Sequence, residues 1–169
     1  MEKETKKEII IYISIILAIV LIRTFIITPV RVNGTSMHPT LKDGEIMILN
    51  KVDYVFNDIK RFDIVVVKTD HNKLIKRVIG LPGETLKYEN NTLYINGKKI
   101  DEPYLKEPTE DFNLQELGYK KLPEDCYFVM GDNRDNSNDS RLLGCIPKKD
   151  IEGSSSLVIY PFKKAGNRN

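Results

Sequence analysis

One serine and one lysine, 40 positions apart, are the residues of this chain with the clearest chemical potential. Ser36 lies in the segment GTSMHPT (residues 34–40), and Lys76 opens the segment KRVIGLPG (residues 76–83). A serine hydroxyl is a weak nucleophile unless a neighbour accepts its proton, and a lysine accepts it when burial lowers the lysine pKa. Lys76 lies in a predicted strand, where Leu74 and Val78 would flank it on one apolar face. The two residues therefore predict a nucleophile and its general base.

Two other interpretations are open at this point. Histidine is the usual partner of a catalytic serine, but His38 lies two residues from Ser36 and His71 lies in a polar turn. Neither histidine has the setting of a buried base that a carboxylate orients. Lys76 could also be an ordinary strand lysine whose amine reaches water along its alkyl chain.

A third segment, residues 131–141, directly follows the predicted strand Cys126–Met130. We call this segment the polar loop. It carries side chains of both charges: Asp132, Arg134, Asp135, Asp139 and Arg141. Charges of both signs favour a rigid loop whose side chains pair with one another. Such a loop could hold a serine against the base. An ordinary solvated loop is the alternative.

Together these segments resemble the conserved boxes of the type I signal peptidases. Ser36-Met37-x-Pro39-Thr40 matches the nucleophile box, residues 62–66 resemble the following strand box, and residues 76–84 match the lysine box. The polar loop matches the final box almost throughout. All four boxes occur in the family's order behind an N-terminal apolar span, so the resemblance is specific.

The resemblance implies a serine endopeptidase that removes N-terminal signal peptides from exported preproteins, with small residues preferred at −1 and −3. Ser36 would attack the scissile carbonyl, and Lys76 would act as general base and then as general acid. Ser137 would donate a hydrogen bond that orients the lysine. Asp139 and Arg141 would form an ion pair that stiffens the polar loop.

The resemblance also places the oxyanion at the backbone N–H of Ser36. Many relatives add a serine hydroxyl two residues earlier, where this chain has Gly34, so the second donor is open between a backbone group, water and another residue. Shallow pockets select small side chains by excluding larger ones. The residues that we expect to line such a pocket, with core packing as the alternative, are Met37, Leu41, Val32 and Ile75.

The two cysteines also allow two interpretations. Cys126 and Cys145 are either two small buried thiols or a disulfide that clasps the polar loop. The disulfide requires that the strands entering and leaving the loop form an antiparallel pair. An extracytoplasmic location would allow it.

The N-terminal apolar run predicts a membrane anchor. Residues 9–27 would form a helix about 28 Å long, close to the thickness of a bilayer's hydrocarbon core. No small-x-small cleavage site follows, which favours a retained anchor over a removed signal. We therefore expect residues 1–8 in the cytoplasm, 9–27 in the cell membrane and 28–169 as an extracytoplasmic peptidase domain. Lysines and arginines balance across the span, so the resemblance alone implies this orientation.

After the anchor, short strand-like runs alternate with turns, and no convincing helix follows. This pattern predicts a mostly β domain built on a folded or barrel-like sheet. Asn96-Gly97 between two such runs indicates a hairpin. The polar residues 101–123 predict an exposed excursion with little functional content.

Composition narrows the partners and cofactors. A net charge of +2 over 169 residues is too small to suggest nucleic-acid binding, and no metal or nucleotide motif is present.

Self-cleaving repressors also use serine and lysine, but residues 1–27 leave no room for a DNA-binding module. A non-enzymatic tethered domain would not need Ser36 and Lys76 intact. The expected partners are preprotein signal peptides and the lipid bilayer, and the sequence carries no signal for oligomeric state or substrate breadth.

Overall fold

A computed structural model describes residues 2–70 and 72–168 of the chain. A long N-terminal helix, α1 (Glu2–Phe25), precedes a mostly β domain, which confirms the predicted fold class. Two helices that the sequence did not predict, α2 (Asp53–Phe56) and α3 (Ser140–Leu143), have four residues each.

Helix α1 contains the one segment of the described chain, Glu4–Phe25, that is long and apolar enough to cross a membrane by length and composition. None of that segment is buried against the domain. The helix ends at Phe25, two residues before the predicted boundary. Ile27 already belongs to the first strand, and the Lys51 N–H donates to the carbonyl of Ile26 at 2.9 Å. This strand was not predicted because its apolar start continues the hydrophobic run of the predicted anchor.

The domain contains twelve strands in the described residues. In chain order they are β1 (Ile27–Arg31), β2 (Ile46–Asn50), β3 (Ile64–Lys68), β4 (Lys73–Gly80), β5 (Leu86–Glu89), β6 (Thr92–Ile95), β7 (Lys98–Ile100), β8 (Phe112–Asn113), β9 (Cys126–Met130), β10 (Ile146–Pro147), β11 (Ile151–Tyr160) and β12 (Gly166–Asn167). Their β-branched and aromatic residues suit a pleated surface that is buried on one face or on both.

The larger, curled sheet has the order β1-β2-β11-β3-β4-β9-β10, with β12 paired to β11, and its strand pairs are antiparallel. Its register pairs Val65 of β3 with Lys76 of β4. Strands β3, β4 and β9 lie side by side in the middle of the sheet. Lys76 therefore lies on an interior strand, beside the strand that leads into the polar loop.

The smaller sheet has the order β7-β6-β5-β8, and Asn96 and Gly97 form the predicted turn between β6 and β7. The segment 101–123 supplies β8 to this sheet, so it is not the exposed excursion that the sequence predicted. Phe112, Leu114 and Leu122 are buried in the core that the two sheets share. The prediction was wrong because these few apolar residues are widely spaced among polar ones and prolines, so they form no regular pattern.

Candidate active site

Ser36 begins a tight turn after β1. The turn is closed by a backbone hydrogen bond from the Leu41 N–H to the Met37 carbonyl, 2.8 Å long. Ser36 itself is half-buried, and its N–H has no acceptor among the described residues. A half-buried hydroxyl beside a free N–H is the arrangement that an acyl-transfer nucleophile needs.

Lys76 reaches this turn from β4. It is 2% exposed, and its Nζ lies 2.7 Å from Ser36 Oγ, within hydrogen-bond distance. Burial lowers the pKa of Lys76 to about 8, because the interior penalises the ammonium form. Asp139 and Asp132 act against this shift, whereas Arg141 adds to it. The amine is thus close to the serine and ready to lose its proton near physiological pH.

Two asparagines of the polar loop fasten the loop to the serine turn. The Asn133 N–H donates to the carbonyl of Ser36 at 2.9 Å. Asn133 Nδ2 donates to the carbonyl of Thr35 at 3.2 Å, and Asn136 Nδ2 donates to the Thr35 hydroxyl at 2.9 Å. Sequence reasoning missed these contacts, since asparagines in a polar loop look like ordinary turn residues.

Gly131 lies where the loop presses against the serine turn. A Cβ at this position would overlap both the carbonyl oxygen of Ser36 and the side chain of Ser137. Only glycine permits this close approach. The hydrogen bond that we expected from Ser137 to Lys76 is not present; Ser137 Oγ is instead buried against Gly131, without a hydrogen-bond partner in the described chain.

Asp139 and Arg141 form a two-point ion pair. Arg141 Nε and Nη2 donate to the two carboxylate oxygens at 2.9 and 3.0 Å. The Gly131 N–H donates to the same carboxylate at 3.0 Å, and Arg141 Nη2 also donates to the carbonyl of Arg134 at 2.6 Å. Burial disfavours the Asp139 charge, but Arg141 and the Gly131 N–H outweigh it and hold the pKa of Asp139 below its usual value.

We expected the polar loop to pair with itself, but two of its other charged side chains pair with residues outside the loop. Asp132 pairs with Arg77 of β4, through contacts of 2.9 and 2.8 Å. Arg134 pairs with Glu102, which belongs to the segment that was predicted to be an exposed excursion, at 2.7 Å. Two of the loop's charged residues therefore connect it to other parts of the domain.

Gly34 offers no second oxyanion donor through its own backbone. Its N–H donates to Asp43 Oδ1 at 2.7 Å and is thus occupied. No atom lies within 4 Å of where a Cβ would be, but its φ of +85° disfavours any residue with a side chain. The Ser36 N–H, by contrast, has no acceptor among the described residues and is free to donate to an oxyanion.

A groove of about 280 Å³ lies directly beside the serine and lysine. Three of the four predicted pocket residues, Val32, Met37 and Ile75, line it. The fourth, Leu41, is fully buried in the same apolar cluster and packs beneath the groove without lining it. The other three residues thus both pack in the apolar cluster and line the groove.

The structure distinguishes between the alternatives that the sequence left open. His38 is exposed on the serine turn, and no hydrogen bond links it to Ser36, while His71 lies outside the described residues. Cys126 and Cys145 form a disulfide at the base of the polar loop, so the interpretation as two free thiols is wrong. No group of three or more histidine, cysteine, aspartate or glutamate residues in the described chain could hold a metal ion.

Comparisons with known proteins identify the family of the chain. A family model described as signal peptidase, peptidase S26 matches residues 5–160. The chain is 45% identical to a signal peptidase I of Bacillus amyloliquefaciens, over 96% of this chain and 95% of the relative. It is 46% identical to signal peptidase I S of Bacillus subtilis (strain 168), over 94% and 90% respectively. A crystal structure of a signal peptidase I from Enterococcus faecalis V583 is 40% identical with a TM-score of 0.54, covering 58% of this chain and 97% of that chain.

Proposed function

Because the chain belongs to the signal peptidase family of peptidase S26, serine proteases that remove signal peptides from preproteins, we propose that Ser36 is its nucleophile and Lys76 its general base. The observation that carries this proposal is the 2.7 Å distance between Lys76 Nζ and Ser36 Oγ in a buried setting. A lowered lysine pKa is what such a base requires.

The reaction then follows from the positions of these groups. Ser36 Oγ attacks the scissile carbonyl while its proton moves to the neutral amine of Lys76. The resulting oxyanion accepts a hydrogen bond from the Ser36 N–H. The lysine ammonium next protonates the leaving amine as the C–N bond breaks, and the acyl-enzyme is hydrolysed by a water that the same amine deprotonates.

The polar loop supports this chemistry in the proposal. Asn133 holds the Ser36 carbonyl, and the ion pair of Asp139 and Arg141 keeps the loop rigid. Ser137, which we expected to orient the lysine directly, packs against Gly131 and so helps to fix the loop beside Ser36. The orientation of Lys76 then comes from Ser36 and from its strand.

In this proposal the substrate is selected in the groove beside Ser36, through the apolar part of its lining. Val32, Met37 and Ile75 line a space that suits small side chains at −1 and −3 and excludes larger ones. The partner is the cleavage-site segment of a preprotein signal peptide.

We further propose that α1 anchors the enzyme in the cell membrane, with its N-terminus inside and the domain outside. Support comes from the unburied apolar helix and from the disulfide, which is typical of oxidising, extracytoplasmic compartments. Ser36 follows the first residue of β1 by only nine positions, which keeps the nucleophile close to the bilayer. Protease added outside intact cells should digest the domain, whereas a protected domain would contradict this orientation.

Peptide cleavage by the full chain in nonionic detergent tests the catalytic assignment. The substrate is an N-acetylated peptide with an Ala-x-Ala site, compared with the same peptide carrying leucine at −1. We expect cleavage of the first peptide alone and loss of activity in Ser36→Ala and Lys76→Met. The matched control is Lys68→Met, an exposed lysine at the end of β3, which should cleave at the wild-type rate. Full activity in either active-site variant would refute the assignment.

A further inference from the structure

A buried polar network joins the smaller sheet to the polar loop, and Arg134 lies at its centre. The Arg134 side chain is fully buried. Its Nε donates to the carbonyl of Gly131 at 3.0 Å, and its Nη1 donates to the hydroxyls of Tyr88 and Thr109 at 2.9 and 2.7 Å. Its Nη2 donates to Glu102 Oε1 at 2.7 Å. The loop's conformation thus depends on groups outside the loop.

Glu102 is the acceptor on which this network converges. One of its carboxylate oxygens, Oε1, accepts hydrogen bonds from Arg134, from the Tyr104 hydroxyl at 2.6 Å and from the Tyr88 hydroxyl at 2.9 Å. The side chain is only 7% exposed. A buried carboxylate is tolerated only when it is paired and hydrogen-bonded, so Glu102 and its partners fix one another's positions.

Tyr104 connects the same network to the strand of the proposed base. The guanidinium carbon of Arg77 lies 4.0 Å from the centroid of the Tyr104 ring, a cation–π contact. Arg77 immediately follows Lys76 in β4 and pairs with Asp132 of the polar loop. The Tyr104 ring therefore contacts Arg77, and the Tyr104 hydroxyl contacts Glu102, the carboxylate that pairs with Arg134.

We propose that Glu102 and Tyr104 are positioning residues that set the polar loop and Lys76 relative to Ser36. The proposal rests on the catalytic roles proposed above for Ser36 and Lys76. One route runs from Glu102 through Arg134 to the loop, whose Asn133 N–H binds the Ser36 carbonyl. The second route runs from Tyr104 through Arg77 to the neighbouring Lys76.

Loosening this network should affect chemistry more than substrate binding. Neither Glu102 nor Tyr104 lines the groove beside Ser36, so KM should change little. A small displacement of the loop or of Lys76 should lower kcat, since misplacements of about 1 Å cost about a hundredfold in rate. Water entering around Lys76 should also raise its pKa, because burial is the main cause of its lowered value. The charged groups that face Lys76, namely Asp139, Asp132 and Arg141, are unchanged in these variants.

The test compares Glu102→Gln, Tyr104→Phe and Tyr104→Leu in the detergent-solubilised full chain. Glu102→Gln removes the charge that pairs with Arg134, and Tyr104→Phe removes one hydrogen bond but keeps the ring on Arg77. Tyr104→Leu removes both contacts. We expect kcat to fall at least about tenfold for Glu102→Gln and for Tyr104→Leu, and less for Tyr104→Phe, with KM within about twofold of wild type. The acidic limb of the kcat/KM profile should move to higher pH in Glu102→Gln and in Tyr104→Leu.

Matched controls come from the same region. Glu107→Gln changes an exposed carboxylate of the same segment, and Tyr94→Phe changes a tyrosine of the smaller sheet outside the network; both should keep wild-type kcat. Rates are measured well below each variant's unfolding temperature, and Tyr104→Phe serves if Glu102→Gln does not fold. Unchanged kcat and pH profile in variants that merely unfold at lower temperature would overturn the proposal. Activity of Ser36→Ala, by contrast, would overturn the proposed function. It would leave the comparison of the Glu102 and Tyr104 variants with wild type unaffected.

Discussion

The pH dependence of cleavage tests the identity of the base most directly. Burial lowers the pKa of Lys76 to about 8, so the neutral, competent amine should make up about 9% of the free enzyme at pH 7 and about 91% at pH 9. The value of kcat/KM should therefore rise about tenfold between these two pH values and level off above pH 9.

The size of this rise in kcat/KM distinguishes a buried Lys76 from other candidate bases. A lysine with its ordinary pKa of 10.5 would give a rise of about a hundredfold over the same interval, with no plateau at pH 9. A histidine base with a pKa of about 6.5 would give a rise of only about 1.3-fold. The buried tyrosines next to the loop, Tyr88 and Tyr104, do not interfere, because burial raises the pKa of both phenols beyond this range.

The assay follows initial rates on the acetylated Ala-x-Ala peptide at concentrations far below KM, from pH 6.5 to 10, at constant ionic strength. Blocking the peptide's amine removes the one titration that would come from the substrate's N-terminus. A rise of less than twofold between pH 7 and pH 9 would refute Lys76 as the base, and so would an activity maximum near pH 5.

The remaining predictions concern the polar loop and its base. Gly131→Ala should reduce kcat at least about a hundredfold, since the added methyl would overlap the Ser36 carbonyl; near-normal kinetics would contradict the close approach. Replacing Cys126 and Cys145 together by serine should lower the free energy of unfolding in urea by about 3 kcal/mol, and reductant should lower it in wild type but not in the variant. Arg141→Lys keeps the charge but loses the two-point contact with Asp139. The value of kcat should therefore fall about tenfold, while KM should stay close to that of wild type. An equal loss of kcat on substituting an exposed lysine would contradict this explanation.

The chemical residues were predictable from sequence because their types and order are restrictive. A serine, a lysine in an apolar strand and a loop of mixed charge indicated the proposed site together, and their resemblance to the family's boxes assigned the roles. Strands β3 and β9 were equally predictable, since each is a short run dominated by β-branched or aromatic residues between turn signals. Local pattern and local chemistry agreed at these positions.

Contacts between distant segments were not predictable in the same way. Glu102 and Arg134 are 32 positions apart, and nothing in either neighbourhood indicates the other. The same holds for Asn133 and Ser36, whose hydrogen bond involves backbone groups that every residue carries. The two cysteines were open for the same reason: their pairing depends on the antiparallel register of β9 and β10, which only the folded sheet establishes.

The lowered pKa that suits Lys76 to its proposed role as base also destabilises the folded chain. The folded pKa of about 8 lies below the ordinary value of 10.5, so below pH 8 the lysine is protonated in both states and the fold carries a buried ammonium. The difference corresponds to about 3 kcal/mol, and it is relieved as the pH rises from about 8 towards 10.5, where the folded state has already released the proton. The disulfide at the base of the polar loop contributes a term of similar size and opposite sign, about 3 kcal/mol. The buried pairs of Arg77 with Asp132 and of Arg134 with Glu102 then serve to fix geometry rather than to add much stability, because desolvation offsets most of their attraction. A rigid polar loop is thus what lets the domain keep an unfavourable lysine where the serine needs it.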